Sequence, residues 1–256
     1  MTTVTISPGI LDDLCKKKMI NISKQTLASI VTANHQVVPV LERYNLDFCC
    51  KGKRVLADAC NEKGLELDKI VQELQLVMIP GKGKSMPFSQ MSAEQLIGHI
   101  LVHHHFYVKE SMPLIFMHLE KVVFKHGDKY PYMRQVIQVF SEIQDEMISH
   151  MQKEEIILFP QIKDVERWVM DEGKKGVPVN FIQVSVAAME TEHDHAGEAM
   201  FKIRDLTNNY TAPEGACTTF NVCLAELKEF EEDLHRHVHL ENNILFPKAK
   251  QFLAGN

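Results

Sequence analysis

No apolar run in this chain of 256 residues approaches the roughly 20 residues that a membrane-spanning helix needs. The first 20 residues, with Asp12, Asp13 and Lys16 to Lys18, also lack the apolar centre of a signal peptide. A cytoplasmic protein without membrane contact is therefore expected. A concentrated basic stripe is missing too, and with a formal charge of −6 this argues against nucleic acid as a partner. No stretch alternates apolar and polar residues with the period of a strand, so the expected fold is all-α. Six cysteines, at 15, 49, 50, 60, 217 and 223, are too sparse for the disulfide framework of a secreted domain, and reduced thiols are expected. Cys217 and Cys223 read as small core residues. What the chain has in quantity is apolar side chains, 45% of the total, which is ample for a globular core.

It also has an internal repeat. H-M-Q-K-E-E-I-I-L-F-P, from His150 to Pro160, returns 87 residues later as H-V-H-L-E-N-N-I-L-F-P, from His237 to Pro247, with six of eleven positions identical. Each copy sets a His and a Glu four residues apart in an apolar-periodic run, so on a helix both project from one face about one turn apart. That is metal-ligand spacing. The repeat extends upstream, because His105 lies 45 residues before His150 and His193 lies 44 before His237. The midpoints of these pairs fall in two turn-forming clusters, H-G-D-K-Y-P (126–131) and T-A-P-E-G-A (211–216). Two antiparallel helical hairpins would bring the four His to one level. Packed as a four-helix bundle, they gather four imidazoles and the carboxylates of Glu154 and Glu241, the arrangement that bundles use for di-iron sites.

The remaining segments fall into place around the bundle. Apolar residues at helical spacing cover roughly 24–44, 54–63 and 68–78, with Pro39 in a first turn or at a kink, Gly64 ending a helix and Asp68 as an N-cap. The expected organisation is an N-terminal extension (1–20), a small domain of three or four helices (21–79), a linker rich in Pro, Gly and Lys (80–87) and the bundle (88–256). In the bundle, Ser92 to Gln95 fits a capping box. Pro113 should bend the first helix and Pro160 should bend or end the second. Residues 171–178 connect the hairpins, and helices over about 179–208 and 216–252 complete the four.

Histidine is plentiful, so the ligands must be chosen. In H-H-H (103–105) the repeat offset selects His105, leaving His103 and His104 solvated or behind the ligands. His195 points about 200° away from His193 around a helix. His235 and His239 also have i, i+4 spacing, but His237 and Glu241 occupy the repeat positions. His126, 21 residues after His105, would lie about 31 Å away along a helix and reads as a turn residue. His99 and His118 have no counterpart in the repeat. Glu146 and Glu192 are positioned to tune the site or to be solvated helix charges. Imidazole and carboxylate without thiolate suit iron, manganese or zinc, and two Glu able to bridge favour two ions. Room then remains for a bridging oxygen and a small exogenous molecule.

A second chemical signal is D-F-C-C-K-G-K-R (47–54). Flanking Lys51, Lys53 and Arg54 are expected to lower the thiol pKa of Cys49 and Cys50, which can then bind a soft metal, exchange with a partner disulfide or be oxidised.

Together, D-F-C-C (47–50), H-M-Q-K-E (150–154), E-H-D-x-A-G (192–197), A-C-T-T (216–219) and L-E-N-N-x-L-F-P (240–247) resemble the iron-sulfur cluster repair di-iron proteins, the RIC or YtfE/ScdA-type family. The resemblance covers roughly 24–252. It implies a short N-terminal domain carrying the Cys pair and a hemerythrin-like four-helix bundle. Two non-haem iron ions, oxo- and carboxylate-bridged, would be held there by His105, His150, His193 and His237, with Glu154 and Glu241 bridging. It further implies repair of iron-sulfur clusters damaged by oxidative or nitrosative stress, with iron-sulfur proteins as clients and O2 or NO as small ligands. In that reading Cys49 and Cys50 serve redox or transfer chemistry, and the chain is a monomer or homodimer that supplies iron rather than an enzyme. The alternatives are a di-iron nitric oxide or peroxide reductase, or an oxygen or iron sensor. Lys51 is a departure, standing where the resemblance implies the first of two glycines.

Overall fold

A computed structural model describes residues 22–78, 88–170 and 179–254. The extension at 1–20, the linker at 80–87 and the connection at 171–178 lie outside these. The described chain is helical, with one isolated bridge between Thr26 and Val55 and no named strand. It forms two compact units, divided after Ser89 rather than after 87. The shift has a local cause: Phe88 is buried and meets the His35 ring edge-on at 5.3 Å within the first unit.

In the first unit, α1 (Leu27–Ala33) is capped by the Thr26 hydroxyl, which accepts from the Ser29 N–H. The run of helical spacing from 24 to 44 is not one helix. At Asn34 the backbone becomes extended and the side chain accepts from the Gln36 N–H, offering the chain an alternative to helical bonding. A single 3-10 turn (His35–Val37) follows, then α2 (Val38–Arg43) with Pro39 in its first turn, where no N–H is needed. After the cysteine loop, α3 (Leu56–Glu62) ends through Gly64 at φ +63°, with the Leu65 N–H bonded back to Cys60 O. The N-cap of α4 (Leu67–Val77) is Glu66, not Asp68, which instead places its charge in the first turn. Leu27, Ile30, Leu41, Phe48, Leu56, Ile70 and Leu74 form the core.

The cysteine loop closes on α1. Ala28 and Leu27 donate their N–H groups to Gly52 O and Arg54 O at 2.8 and 2.9 Å. A Cβ on Gly52 would lie 2.3 Å from Phe48 O and 2.9 Å from Ala28 Cβ, so the second glycine is required by close approach, whereas Lys51 is exposed and its side chain meets no such limit. Gly52→Ala should lower the stability of this unit by about 1–3 kcal/mol, the cost of overpacking. Thermal melts of the full chain check this, and Lys51→Gly should stay near wild type.

In the second unit, Ser92 and Gln95 make the reciprocal capping box that opens α5 (Ala93–Ile100). Glu166, buried and far along the chain, adds its carboxylate to the N–H groups of Ala93 and Glu94 at 2.7 and 2.9 Å. The first bundle helix continues through a π-turn (Leu101–His105) into α6 (Phe106–His126), which contains Pro113. The second comprises α7 (Tyr132–Lys153), a π-turn (Glu154–Leu158) and α8 (Phe159–Met170). The third is α9 (Val179–Leu206), and the fourth is α10 (Thr218–Leu240), a π-turn (Glu241–Leu245) and α11 (Phe246–Ala254).

Pro160 therefore does not end its helix. Proline lacks an N–H and crowds the carbonyl four residues back, and the wider turn just before Pro160 and Pro247 accommodates both defects. The first helix packs on the second and fourth, and the third packs on the same two, so the four close a ring. Phe140 and Phe230 meet edge-to-face across the core at 5.5 Å. A bidentate Arg204–Glu231 pair, with contacts of 2.6 and 2.9 Å, ties the third helix to the fourth.

Candidate metal centre

All three π-turns lie at one level of the bundle, and they carry His105, Glu154 and Glu241. His150 and His237 stand one turn before the two carboxylates, and His193 enters from the third helix. All six are buried. Their donor atoms form two clusters. His105, Glu154, His237 and Glu241 make one, and His150, Glu154, His193 and Glu241 make the other. Both carboxylates belong to both clusters, so each has the position of a bridge.

The Nε2 atoms converge. His150 Nε2 lies 3.0 Å from His193 Nε2 and 3.3 Å from Glu154, while His105 Nε2 lies 3.3 Å from Glu154. His193 and His237 Nε2 each lie 3.1 Å from Glu241. Two donors about 2.1 Å from a common ion and at right angles to each other are about 3.0 Å apart, so these separations suit a cation at the centre of each cluster. His105 Nε2, both Glu154 oxygens and Glu241 Oε2 are buried without a hydrogen-bond partner among the described residues. Buried polar atoms in that state are costly unless something else satisfies them. The residues present fit a pair of metal ions.

Behind three of the imidazoles stands an acceptor for Nδ1: Glu155 for His105 at 2.8 Å, Glu192 for His150 at 2.9 Å and Asn242 for His193 at 2.9 Å. Each fixes the tautomer that leaves Nε2 to face the centre. Lys109 and Lys153 hold Glu155 and Glu192 in turn. Phe159 and Phe246, matched in the repeat, lie against the His105 and His193 rings at 5.6 and 6.1 Å. Sequence reasoning included Glu192 but missed Glu155 and Asn242. The usable signal was the residue after each repeated Glu, where Glu and Asn share an acceptor oxygen. Glu146 is exposed.

The ring of acceptors behind the imidazoles is broken at His104. His104 is in the repeat position of Glu192, and it neither faces solvent like His103 nor accepts from the neighbouring ring. It is buried, bonded through Nδ1 to Asp233 at 2.9 Å, and stacked on His237 at 5.5 Å. His195 is exposed, and His239 is buried with Nδ1 3.3 Å from the Asn243 amide. His118 pairs with Glu226.

The electrostatics describe the centre without cations. Burial pulls His105 and His150 down, but the adjacent carboxylates outweigh it and raise both to about 10. Burial likewise works against ionised Glu241 and Glu154, yet His237 and the neighbouring imidazoles hold Glu241 well below the usual range, and His150 and His105 lower Glu154. Burial leaves His237 lowered. A cation would replace protons in this cluster.

His126 ends α6, with Nε2 3.2 Å from Cys217 Sγ at the start of α10. That clamp lies about 30 Å along the helix from His105. His126→Leu should keep the full metal content while losing about 1 kcal/mol of stability, which metal analysis and a melt of the same sample would test. Cys223 is a buried core residue, as expected, while Cys217 is only half-buried.

The cysteine pair departs from expectation. Cys49 is buried, and the bond with Cys50, burial and the Asp47 carboxylate push its thiol well above the ordinary value. Lys51 and Lys53 are exposed, and Arg54 turns to pair with Glu62. The basic flank does not make Cys49 a thiolate; its S–H donates to Asp47 at 3.2 Å.

A ring of four helices with this donor set defines a hemerythrin-type cation-binding domain, and residues 96–249 match the hemerythrin HHE cation binding domain. Residues 23–77 match a domain of unknown function, DUF542. The chain belongs to the family of the YtfE iron-sulfur cluster repair proteins. It is 36% identical to the iron-sulfur cluster repair protein YtfE of Cronobacter sakazakii, over 90% of this chain and 97% of the relative. Those of Yersinia pseudotuberculosis and Escherichia coli are each 34% identical, covering 88% and 90% of this chain and 96% and 97% of the relatives.

Proposed function

We propose that the chain is a cytoplasmic di-iron protein that repairs iron-sulfur clusters damaged by oxidative or nitrosative stress, by supplying iron to client proteins. The observation that carries this reading is the sharing of Glu154 and Glu241 by both donor clusters. His105 and His237 would hold one iron, and His150 and His193 the other, with the two carboxylates bridging. Four protein donors per ion would not fill the coordination preferred by iron, so a bound centre would have room for a small exogenous ligand such as O2 or NO. When bound, such a centre supplies releasable iron and a binding position for a diatomic molecule. The protein's part is to orient Nε2 through Glu155, Glu192 and Asn242, and to exclude water with Phe159 and Phe246. The relatives' name as repair proteins supports the same assignment. No described helix is long and apolar enough to cross a membrane.

The test is anaerobic incubation of the iron-loaded protein with an apo iron-sulfur client, following where the iron goes. Iron should appear in the client. Turnover of nitric oxide or peroxide with an electron donor, and no iron transfer, would select a reductase instead. Cys49→Ser/Cys50→Ser should load iron as wild type does yet deliver it several-fold more slowly, because neither cysteine belongs to the bundle's donor set. Equal rates at equal iron content would remove the pair from delivery.

A further inference from the structure

The loop between α2 and α3 holds a second constellation of metal-ligating atoms. Cys49 Sγ and Cys50 Sγ are 3.8 Å apart, and Cys49 Sγ is 3.2 Å from Asp47 Oδ1. The three donors lie within 4.8 Å of one another. Asp47 Oδ1 is fixed in place by accepting from the N–H groups of both cysteines at 3.0 Å. Cys49 is buried, while Asp47 and Cys50 are half-buried and reachable.

Two chemistries compete for such a pair. A disulfide usually needs Cα atoms about 4.4–6.8 Å apart, and adjacent residues across a trans peptide are held at about 3.8 Å, so closing Cys49 on Cys50 would distort the backbone. A cation needs no such movement. Two thiolates bound at about 2.3 Å around a tetrahedral ion are separated by about 3.8 Å, and a thiolate and a carboxylate oxygen on the same ion by about 3.5 Å. The sulfur pair has the first separation, and the Asp47–Cys49 contact is within about 0.3 Å of the second.

We propose that Asp47, Cys49 and Cys50 form a three-donor site for one thiophilic divalent cation, with the fourth corner left to an incoming ligand. The identity of that cation as ferrous iron in transit rests on the repair reading above. Binding replaces the protons of both thiols: one M2+ and two S–H groups give two M–S bonds and two released protons, with no change of oxidation state. Two thiolates discriminate against magnesium and calcium in favour of zinc, iron and similar ions. The bundle centre offers only nitrogen and oxygen, so the chain presents iron with two chemically different environments. The sulfur-bearing one resembles what a client's cluster site provides.

The test is anaerobic titration of Co2+ into the metal-free, reduced full-length chain. Wild type should take up three ions, one giving a thiolate-to-cobalt absorption in the near ultraviolet that the bundle donors cannot produce. Cys49→Ser/Cys50→Ser should take two and lack the band. Asp47→Asn, which can still accept the two N–H groups, should keep the band with at least tenfold weaker binding. Cys60→Ser should match wild type, and far-ultraviolet circular dichroism should be the same for all. No band in wild type, or a band that survives the double serine variant, would overturn the site. If the band is absent while the double variant still delivers iron slowly, the site fails and the repair reading stands. If the band behaves as expected while delivery is unchanged, the assignment of iron as cargo falls.

Discussion

His150→Leu and His237→Leu should each leave the bundle with one metal ion or none, where wild type should hold two. Each histidine supplies one of two imidazoles in its cluster, and the carboxylate oxygens beside it are shared with the other cluster. Removing one therefore weakens its own ion directly and the second through the bridge. Leucine approximates the volume but offers no lone pair. In His150→Leu, Glu192 also loses the ring N–H to which it is bonded at 2.9 Å. The helices should persist, because the core around Phe140 and Phe230 is untouched. His239→Leu is the discriminating control. His239 lies two residues from His237 and is equally buried, but it belongs to neither cluster, so its variant should retain both ions. Metal analysis with absorption spectra of the loaded proteins decides the matter. Wild-type content in both His150→Leu and His237→Leu would overturn the ligand set.

The centre was legible in the sequence because its geometry is helical and repeated. A His and a Glu one turn apart on the same helix face are three or four residues apart, and an antiparallel hairpin maps equal distances from its turn onto equal heights, so the convergence of His105 and His193 with them followed from spacing. Features that depend on a partner distant in the chain were not legible. Glu166 caps α5 from the second bundle helix, and nothing near Ala93 signals it. The π-turns depart from the 3.6-residue template used to place the helices, although Pro160 and Pro247 mark where two of them fall. His104 was judged by its neighbours in H-H-H, but its burial is set by Asp233 on the fourth helix. The same limit explains Cys49. Basic residues adjacent in sequence suggested a thiolate, whereas the bond with Cys50, burial and the Asp47 carboxylate keep the proton on sulfur.

The gap in thermal stability between the metal-loaded and metal-free protein should widen as pH rises from about 6.5 towards 10. In the metal-free fold His105 and His150 are raised to about 10, against about 6.5 in the unfolded chain. Their stabilising contribution is fully present below the unfolded value, and is lost as pH rises through the folded one, since there the folded state must surrender protons that the unfolded state no longer binds. Over most of that window the folded state binds up to two more protons than the unfolded state. Metal-free stability should then fall by at most about 2.7 kcal/mol per pH unit, less if the two rings titrate cooperatively through their common carboxylates. The carboxylates work in the opposite direction at low pH. Glu154 and Glu241 are lowered, so their contribution is present above the ordinary carboxylate value and disappears as the solution is acidified below it. His237, lowered by burial, works against the fold below about pH 6.5, so the metal-free bundle should be most stable near pH 6.5 and lose stability on either side. The loaded protein holds these imidazoles unprotonated, so it escapes the alkaline loss, and each ion bound below pH 10 releases protons as it enters. Paired melts of the loaded and metal-free forms from pH 5 to pH 9.5 would measure the effect. A gap that stayed constant across that range would mean that the imidazoles carry no extra protons in the metal-free fold, and that Glu154 and Glu241 are neutralised by protons of their own.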